Sequence, residues 1–291
     1  MSRIYILDPI TLATVDSCAP VDRVSYGRMA MSPVHTSASG PKVSNTRARS
    51  GKNNENQSCN SLGDEWLVIP GETLIMRWRI QQGMLKYDEK WSETYRVADT
   101  KTFAGTGPSI ANDVVCYTDN TFPFFQSKTG FKLYMKDLST YAPQKCAELS
   151  SDNPGFMFWS TVVDPVHKAF IVWDIHNGKI MSYDGNNCTL RWEAPFRSYD
   201  CIAVAADRNH VYATHHDLEL EHIVDHARQV GIAPNKKVAE KELIVLNSKD
   251  GSVIKRISLG KIAASASVIM PGRNNDVYIG HRNGGIARIY V

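Results

Sequence analysis

The residues with the most chemical potential crowd into one stretch, His215-His216-Asp217-Leu218-Glu219-Leu220-Glu221-His222-Ile223-Val224-Asp225-His226. Residues 219–230 have helical character. On a helix His222 and His226 stand four apart on one face, the spacing that lets two imidazoles hold one metal ion. Glu219, three residues before His222, lies on the same side and could add a carboxylate. His215 and His216 close a strand from whose end they could reach the ion. A divalent metal held there would lower the pKa of a bound water and support hydrolysis or elimination without a covalent nucleophile. Against this stands Ile223, because the metalloprotease pattern wants Glu directly after the first His. The plainer reading is a surface helix, acidic at its start and carrying Arg228 later, that covers one face of the fold.

A second stretch, Thr121-Phe122-Pro123-Phe124-Phe125, is an apolar loop at the rim of a strand pair. An exposed aromatic patch of that kind marks a contact surface or a pocket wall, so Phe122, Phe124 and Phe125 are candidate partner-binding residues. His176 and His281 follow strands next to Asn-Gly and Arg-Asn-Gly, where a turn histidine bonds local backbone. Asp and Asn recur before strands (Asn112, Asp113, Asp164, Asn209, Asp276), where their side chains cap tight turns. No Gly-x-Ser-x-Gly elbow, P-loop or dinucleotide fingerprint is present. The six tryptophans are scattered through the strands rather than aligned with Arg and Lys, which points to packing and not to a base-stacking platform.

The elements that must position these residues are strands. Alternating β-branched and aromatic runs separated by Asp-Gly, Asn-Gly and Asp-Pro turns recur along the chain. Runs starting near Trp66, Val114, Ala169, Val211 and Val277 are spaced by 48, 55, 42 and 66 residues. The last spacing falls to roughly 45 if the segment after Leu218 is an insertion. A period of about 40–50 residues built from four short strands is that of a β-propeller blade, whose sheet buries its two faces only by packing on its neighbours. We take these runs as first strands, 84–97 as one long strand, and 24–31 as a further one. Residues 35–63 hold Ser, Asn, Gly, Lys and Arg with hardly an apolar side chain. That composition predicts a mobile surface insertion whose basic residues form a solvated loop. A second insertion, 217–240, carries the short helix.

The outer hairpins at 3–17, 179–192 and 243–257 share the form apolar strand, Asp-Gly or Asp-Pro turn, apolar strand. In this they resemble the quinoprotein-like and WD-repeat propeller superfamilies. The resemblance implies an all-β propeller over 1–291 with about five four-stranded blades, alternatively six, and implies little about function. The chain opens on an outer hairpin and its last repeat stops at a third strand. The expectation is therefore that the N-terminal strands complete the last blade; the alternative is an incomplete ring with an exposed sheet edge.

A formal charge of +3 on 291 residues gives no reason to expect nucleic acid as a partner. No run reaches the roughly 18 apolar residues needed to span a membrane, and the start lacks the features of a secretion signal. Six cysteines with no Cys-x-x-Cys pair read as reduced thiols of an intracellular, cytoplasmic protein. The leading function is a non-enzymatic scaffold or binding module for protein partners, with no cofactor. The alternative is a metal-assisted hydrolase or lyase centred on His215, His216, Glu219, His222 and His226. A quinone-dependent dehydrogenase ranks third, because those enzymes are typically larger and exported.

Overall fold

The computed structural model describes residues 3–7, 11–18, 30–31, 65–81, 84–96, 103–104, 107–119, 121–122, 131–150, 157, 160–198, 202–205, 209–216, 241–260, 266–281 and 285–291. Both insertions expected from composition, 35–63 and 217–240, lie outside these residues. The described chain folds as a series of antiparallel sheets in sequence order, here termed blades 1 to 5. Blade 1 contains Ala30–Met31, Glu65–Pro70, Leu74–Gln81 and Met84–Tyr87, and Glu93–Thr94 also pairs with its third strand. Blade 2 is Ser109–Ala111, Val114–Thr118, Phe131–Asp137 and Lys145–Ser150. Blade 3 is Val162–Asp164, Ala169–Asp174, Lys179–Asp184 and Leu190–Ala194, and blade 4 is Ala203–Val204, His210–His216, Lys241–Asn247 and Val253–Ser258. Blade 5 has three described strands, Ala266–Pro271, Asp276–His281 and Ile286–Tyr290. The first strand of each blade lies against the first strand of the next.

Three expectations change. The periodic runs are second strands, not first. A second strand such as Ala169–Asp174 is buried along its whole length and therefore reads as a continuous apolar run. The first strands are only two to six residues long and leave little pattern. Of the strand expected over 24–31, Ala30–Met31 is described, and the rest lies outside the described residues.

Nor is the segment 84–97 one strand. It breaks at Asp88, whose Oδ1 accepts the Trp91 N–H at 3.3 Å and whose carbonyl accepts the Ser92 N–H at 3.2 Å. The excursion drives Trp91 between blades 1 and 2. There its Nε1–H donates to the Asp137 carbonyl at 2.7 Å, and the Lys136 ammonium sits 5.3 Å from its ring. The Arg77 guanidinium lies 3.9 Å from the Trp66 ring and 4.9 Å from that of Trp91, and it ion-pairs with Asp88.

Thirdly, the N-terminal hairpin, Ile4–Leu7 with Thr14–Cys18, does not pair with blade 5. It lies on blade 1, where Ile4 packs with Leu67, Ile69, Met76 and Trp78. Asp16 Oδ2 accepts the Leu85 N–H at 2.7 Å and fixes the hairpin beside the fourth strand. The cause is strand alternation. Val68 and Ile75 turn toward blade 2, which leaves the Leu67–Ile69 side to be covered by something else.

Blades 3 and 4 are joined by polar groups as well as apolar ones. Asp164, fully buried, accepts the Val166 and His167 N–H groups at 3.2 Å and holds His167 Nδ1 at 2.8 Å. His167 Nδ1 also lies 3.3 Å from Ser248 Oγ, and Trp192 Nε1–H donates to the Ser248 carbonyl at 2.9 Å. The turn after Ser248 then runs flat against the Trp192 indole. Gly251 has φ 72°, and a Cβ there would stand 2.6 Å from the ring. Replacing Gly251 with Ala adds left-handed strain to an overlap with a buried indole, an expected loss of about 2–4 kcal/mol by urea unfolding. A loss below about 0.5 kcal/mol, the level of an ordinary surface change, would show that the two blades do not meet here.

Candidate functional site

Antiparallel order sorts the connections onto two faces. Links between second and third strands, and those from one blade to the next, emerge on one face, termed upper. The first-to-second and third-to-fourth turns emerge on the other. On this rule the strand ends at Thr118 and His216, which lead into the aromatic stretch and the histidine insertion, share the upper face, while the strand end at Met31 belongs to the lower one. Thr121–Phe122 pairs with Phe103–Ala104 of the link between blades 1 and 2. Phe124 and Phe125 lie outside the described residues, as do Glu219, His222 and His226. His215 and His216 end the second strand of blade 4, paired with Glu242 and Lys241. The strands thus place the root of each candidate cluster on one face, and the clusters themselves are not described.

A repeated device fixes this face. In blade 1, Arg96 Nη1 donates to the Glu72 carbonyl at 3.0 Å and the Tyr95 hydroxyl to the Gly71 carbonyl at 2.8 Å. In blade 3, Arg197 Nε donates to the Ile175 carbonyl at 3.0 Å and Nη2 to that of His176 at 3.2 Å. In both, an arginine clasps the turn between the second and third strands, from just past Glu93–Thr94 in blade 1 and from just past the fourth strand in blade 3. The blade 3 turn is further capped by buried Asp174, whose Oδ1 accepts the His176 and Asn177 N–H groups at 2.9 and 3.2 Å. Burial holds the His176 imidazolium below its usual range, with Arg197 adding to the effect and Asp174 opposing it.

His215 is drawn into the same clasp. Its Nδ1 accepts the Arg197 backbone N–H at 3.2 Å, and its ring meets Phe196 edge-on at 5.4 Å and 78°. A neutral imidazole that accepts at Nδ1 carries its proton on Nε2. His215 therefore joins a metal ligand set only by surrendering this bond. Among the described residues no group of three or more His, Cys, Asp or Glu side chains could hold a metal ion.

The neck of the aromatic loop is closed by Asp119 and Lys132. The Asp119 N–H donates to the Lys132 carbonyl at 3.2 Å, and the Lys132 N–H returns to Asp119 Oδ1 at 2.8 Å. Burial pushes the Asp119 carboxyl up to about 6, against the Lys132 N–H and the charges of Lys132 and Arg96, which favour the carboxylate. Tyr134 is pushed up by its own burial first and by Asp119 second. Neither Asp119 nor the two clasping arginines carried a sequence motif. The available signal was position alone, an acid closing a second strand and an arginine following the last strand of its blade.

A carboxyl whose folded pKa is raised binds its proton more tightly in the folded state. Its stabilising contribution is full below the unfolded value near 3.8 and is lost as pH rises through about 6. Asp119→Asn keeps the acceptor for Lys132. The difference in stability between variant and parent is expected to move in the variant's favour by on the order of 2–3 kcal/mol between pH 4 and pH 8, measured by urea unfolding. A pH-independent difference would show that Asp119 titrates as an exposed acid.

No protein-family profile and no curated protein matches the chain. Solved structures do. The C-terminal WD40 domain of Sif2 matches at TM-score 0.51 and 9% identity, over 78% of this chain and 54% of that one. The Dos1 propeller matches at 0.50 and 11%, over 78% and 54%. Hsv2 of Kluyveromyces marxianus matches at 0.51 and 9%, over 96% and 68%. The chain thus spans about half the length of the Sif2 and Dos1 propellers. At such identities the likeness defines the fold, a β-propeller with WD40 and other propeller neighbours, which accords with the repeats read from sequence. Among the described residues no helix is long and apolar enough to cross a membrane.

Proposed function

We propose that this propeller is a non-enzymatic binding module, acting in the cytoplasm, that takes protein partners on its upper face. The observation that carries the reading is that the second strands preceding the Phe122–Pro123–Phe124–Phe125 stretch and the 217–240 insertion, Val114–Thr118 and His210–His216, both end on that face. Loops on a rigid scaffold are where binding residues concentrate, and a large aromatic cluster supplies contact area with few rotatable bonds. The WD40 likeness agrees with a module of this kind without naming a partner.

The 291-residue chain has a mass of 32.5 kDa. In its own cell extract, by size exclusion with light scattering, the tagged chain is expected to elute at several times that mass. The combined change Phe122→Ser, Phe124→Ser and Phe125→Ser is expected to return it to the monomer while leaving the unfolding midpoint within a few degrees. A monomeric parent chain would overturn the reading. In that case metal content before and after His222→Ala and His226→Ala decides on the metal-assisted alternative, which stoichiometric metal lost in the variants would support.

A further inference from the structure

The fourth strand of blade 4, Val253-Ile254-Lys255-Arg256-Ile257-Ser258, ends at the upper face on a serine. Five of its six residues are exposed, Ser258 among them, and among the described residues the strand pairs only with Lys241–Asn247. Other exposed serines are occupied. Ser139 Oγ donates to Asp137 and Ser252 Oγ to Asp250, each at 2.6 Å within a turn. Ser258 makes no such bond among the described residues. Lys255 and Arg256 stand three and two residues before it. That is the charge pattern by which kinases with carboxylate-lined clefts choose a serine. Ser198 also follows an arginine, but it is fully buried.

Ser258 shares one rung of blade 4 with Glu242 and His215, which pair across the third and second strands. Alternation puts Arg256 on the same side as Ser258. There Arg256 Nε donates to Glu242 Oε2 at 3.0 Å, and its guanidinium sits 5.8 Å from the Phe196 ring that His215 also meets. The rung is the root of the 217–240 insertion. His216 closes the strand before that insertion and Lys241 opens the strand after it.

We propose that Ser258 is a phosphorylation site for a protein kinase directed to basic sequences, and that its phosphate takes Arg256 from Glu242 and loosens this rung. In the transfer, Ser258 Oγ bonds to the γ-phosphorus of a nucleoside triphosphate and the bond from that phosphorus to the β–γ bridging oxygen breaks. The hydroxyl proton passes to the kinase's base, and the nucleoside diphosphate leaves. The phosphate carries about −1.5 to −2 charge at neutral pH. It stands directly opposite the Glu242 carboxylate, and like charges so placed destabilise a strand pair. The Arg256–Glu242 pair is solvent-accessible on both side chains, so it is weakly held and readily exchanged. The effect on partners rests on the upper face being the binding surface.

The test uses purified chain and no partner, so it fails separately from the binding reading. The catalytic subunit of cyclic-AMP-dependent protein kinase with magnesium-ATP is expected to place phosphate on Ser258 of the folded chain, located by peptide mapping. Its kcat/KM is expected within about tenfold of that for the synthetic peptide 253–260, Val-Ile-Lys-Arg-Ile-Ser-Leu-Gly. Ser258→Ala removes this phosphate, and changing Lys255 and Arg256 together to Gln slows its transfer at least about tenfold. The phosphorylated chain is expected to exchange the amide hydrogens of 241–243 at least about fivefold faster than the parent. Glu242→Gln keeps the phosphorylation and abolishes that acceleration. A folded chain left unmodified by the kinase, whether or not the peptide is taken, would overturn the proposal. So would phosphate confined to Ser50 in the stretch Arg47-Ala48-Arg49-Ser50. Equal exchange in phosphorylated and parent chains, or faster exchange that survives Glu242→Gln, would overturn it as well.

Discussion

Val68 turns toward blade 2 while its neighbours Leu67 and Ile69 turn the other way, and everything else in the molecule follows from that alternation. Each sheet is apolar on both sides, so no blade can bury itself. Stability comes from stacking sheet on sheet: blades 2, 3 and 4 share one core through Leu133, Trp173 and Ile244, and blades 4 and 5 share another through Tyr212, Val245 and Val277. The N-terminal hairpin obeys the same demand. Its Ile4 is buried because the outer side of blade 1 needs a cover, and the hairpin gains its place by packing and not by strand pairing.

Stacking of this kind leaves the ends of the strands as the free variables. Where a connection is short, a fixed acid or arginine ties it down, as Asp174 and Arg197 do in blade 3 and Arg96 does in blade 1. Where a connection is long, the strand that launches it is clamped at the root. Asp119 with Lys132 closes the neck of the aromatic loop, and Phe196 with Arg197 holds His215 below the second insertion. The loops can thus vary without disturbing the core, and a rigid root sets where they point. The lower face is bound differently, by the Asp164–His167–Ser248 contacts and the Trp192 indole laid on Gly251, which spend their polar groups on joining blades.

The second and third strands were legible from sequence because full burial writes a long apolar run, and the Asp-Gly and Asn-Gly turns marked their ends. The two- and three-residue first strands were not, since a strand such as Ala203–Val204 is too short to show a period. The excursion at Asp88 was hidden for another reason. Its cause is the pocket between blades that receives Trp91, and a pocket has no local signature. The histidines stood out by type and spacing, yet His215 spends a ring nitrogen on the Arg197 N–H. Asp119 and the clasping arginines work through where they sit in the repeat, which a single sequence shows only once the blades are aligned.

The central claim is that the upper face does the binding and the lower face holds the blades together. Photo-crosslinking in cells, with a benzoyl-phenylalanine placed in turn at positions 124 and 222 on upper-face connections and at exposed 187 and 250 on lower-face turns, tests it directly. The account predicts discrete partner adducts from 124 and 222 and none from 187 or 250. Adducts from the lower-face positions alone, or equally from both faces, would contradict it.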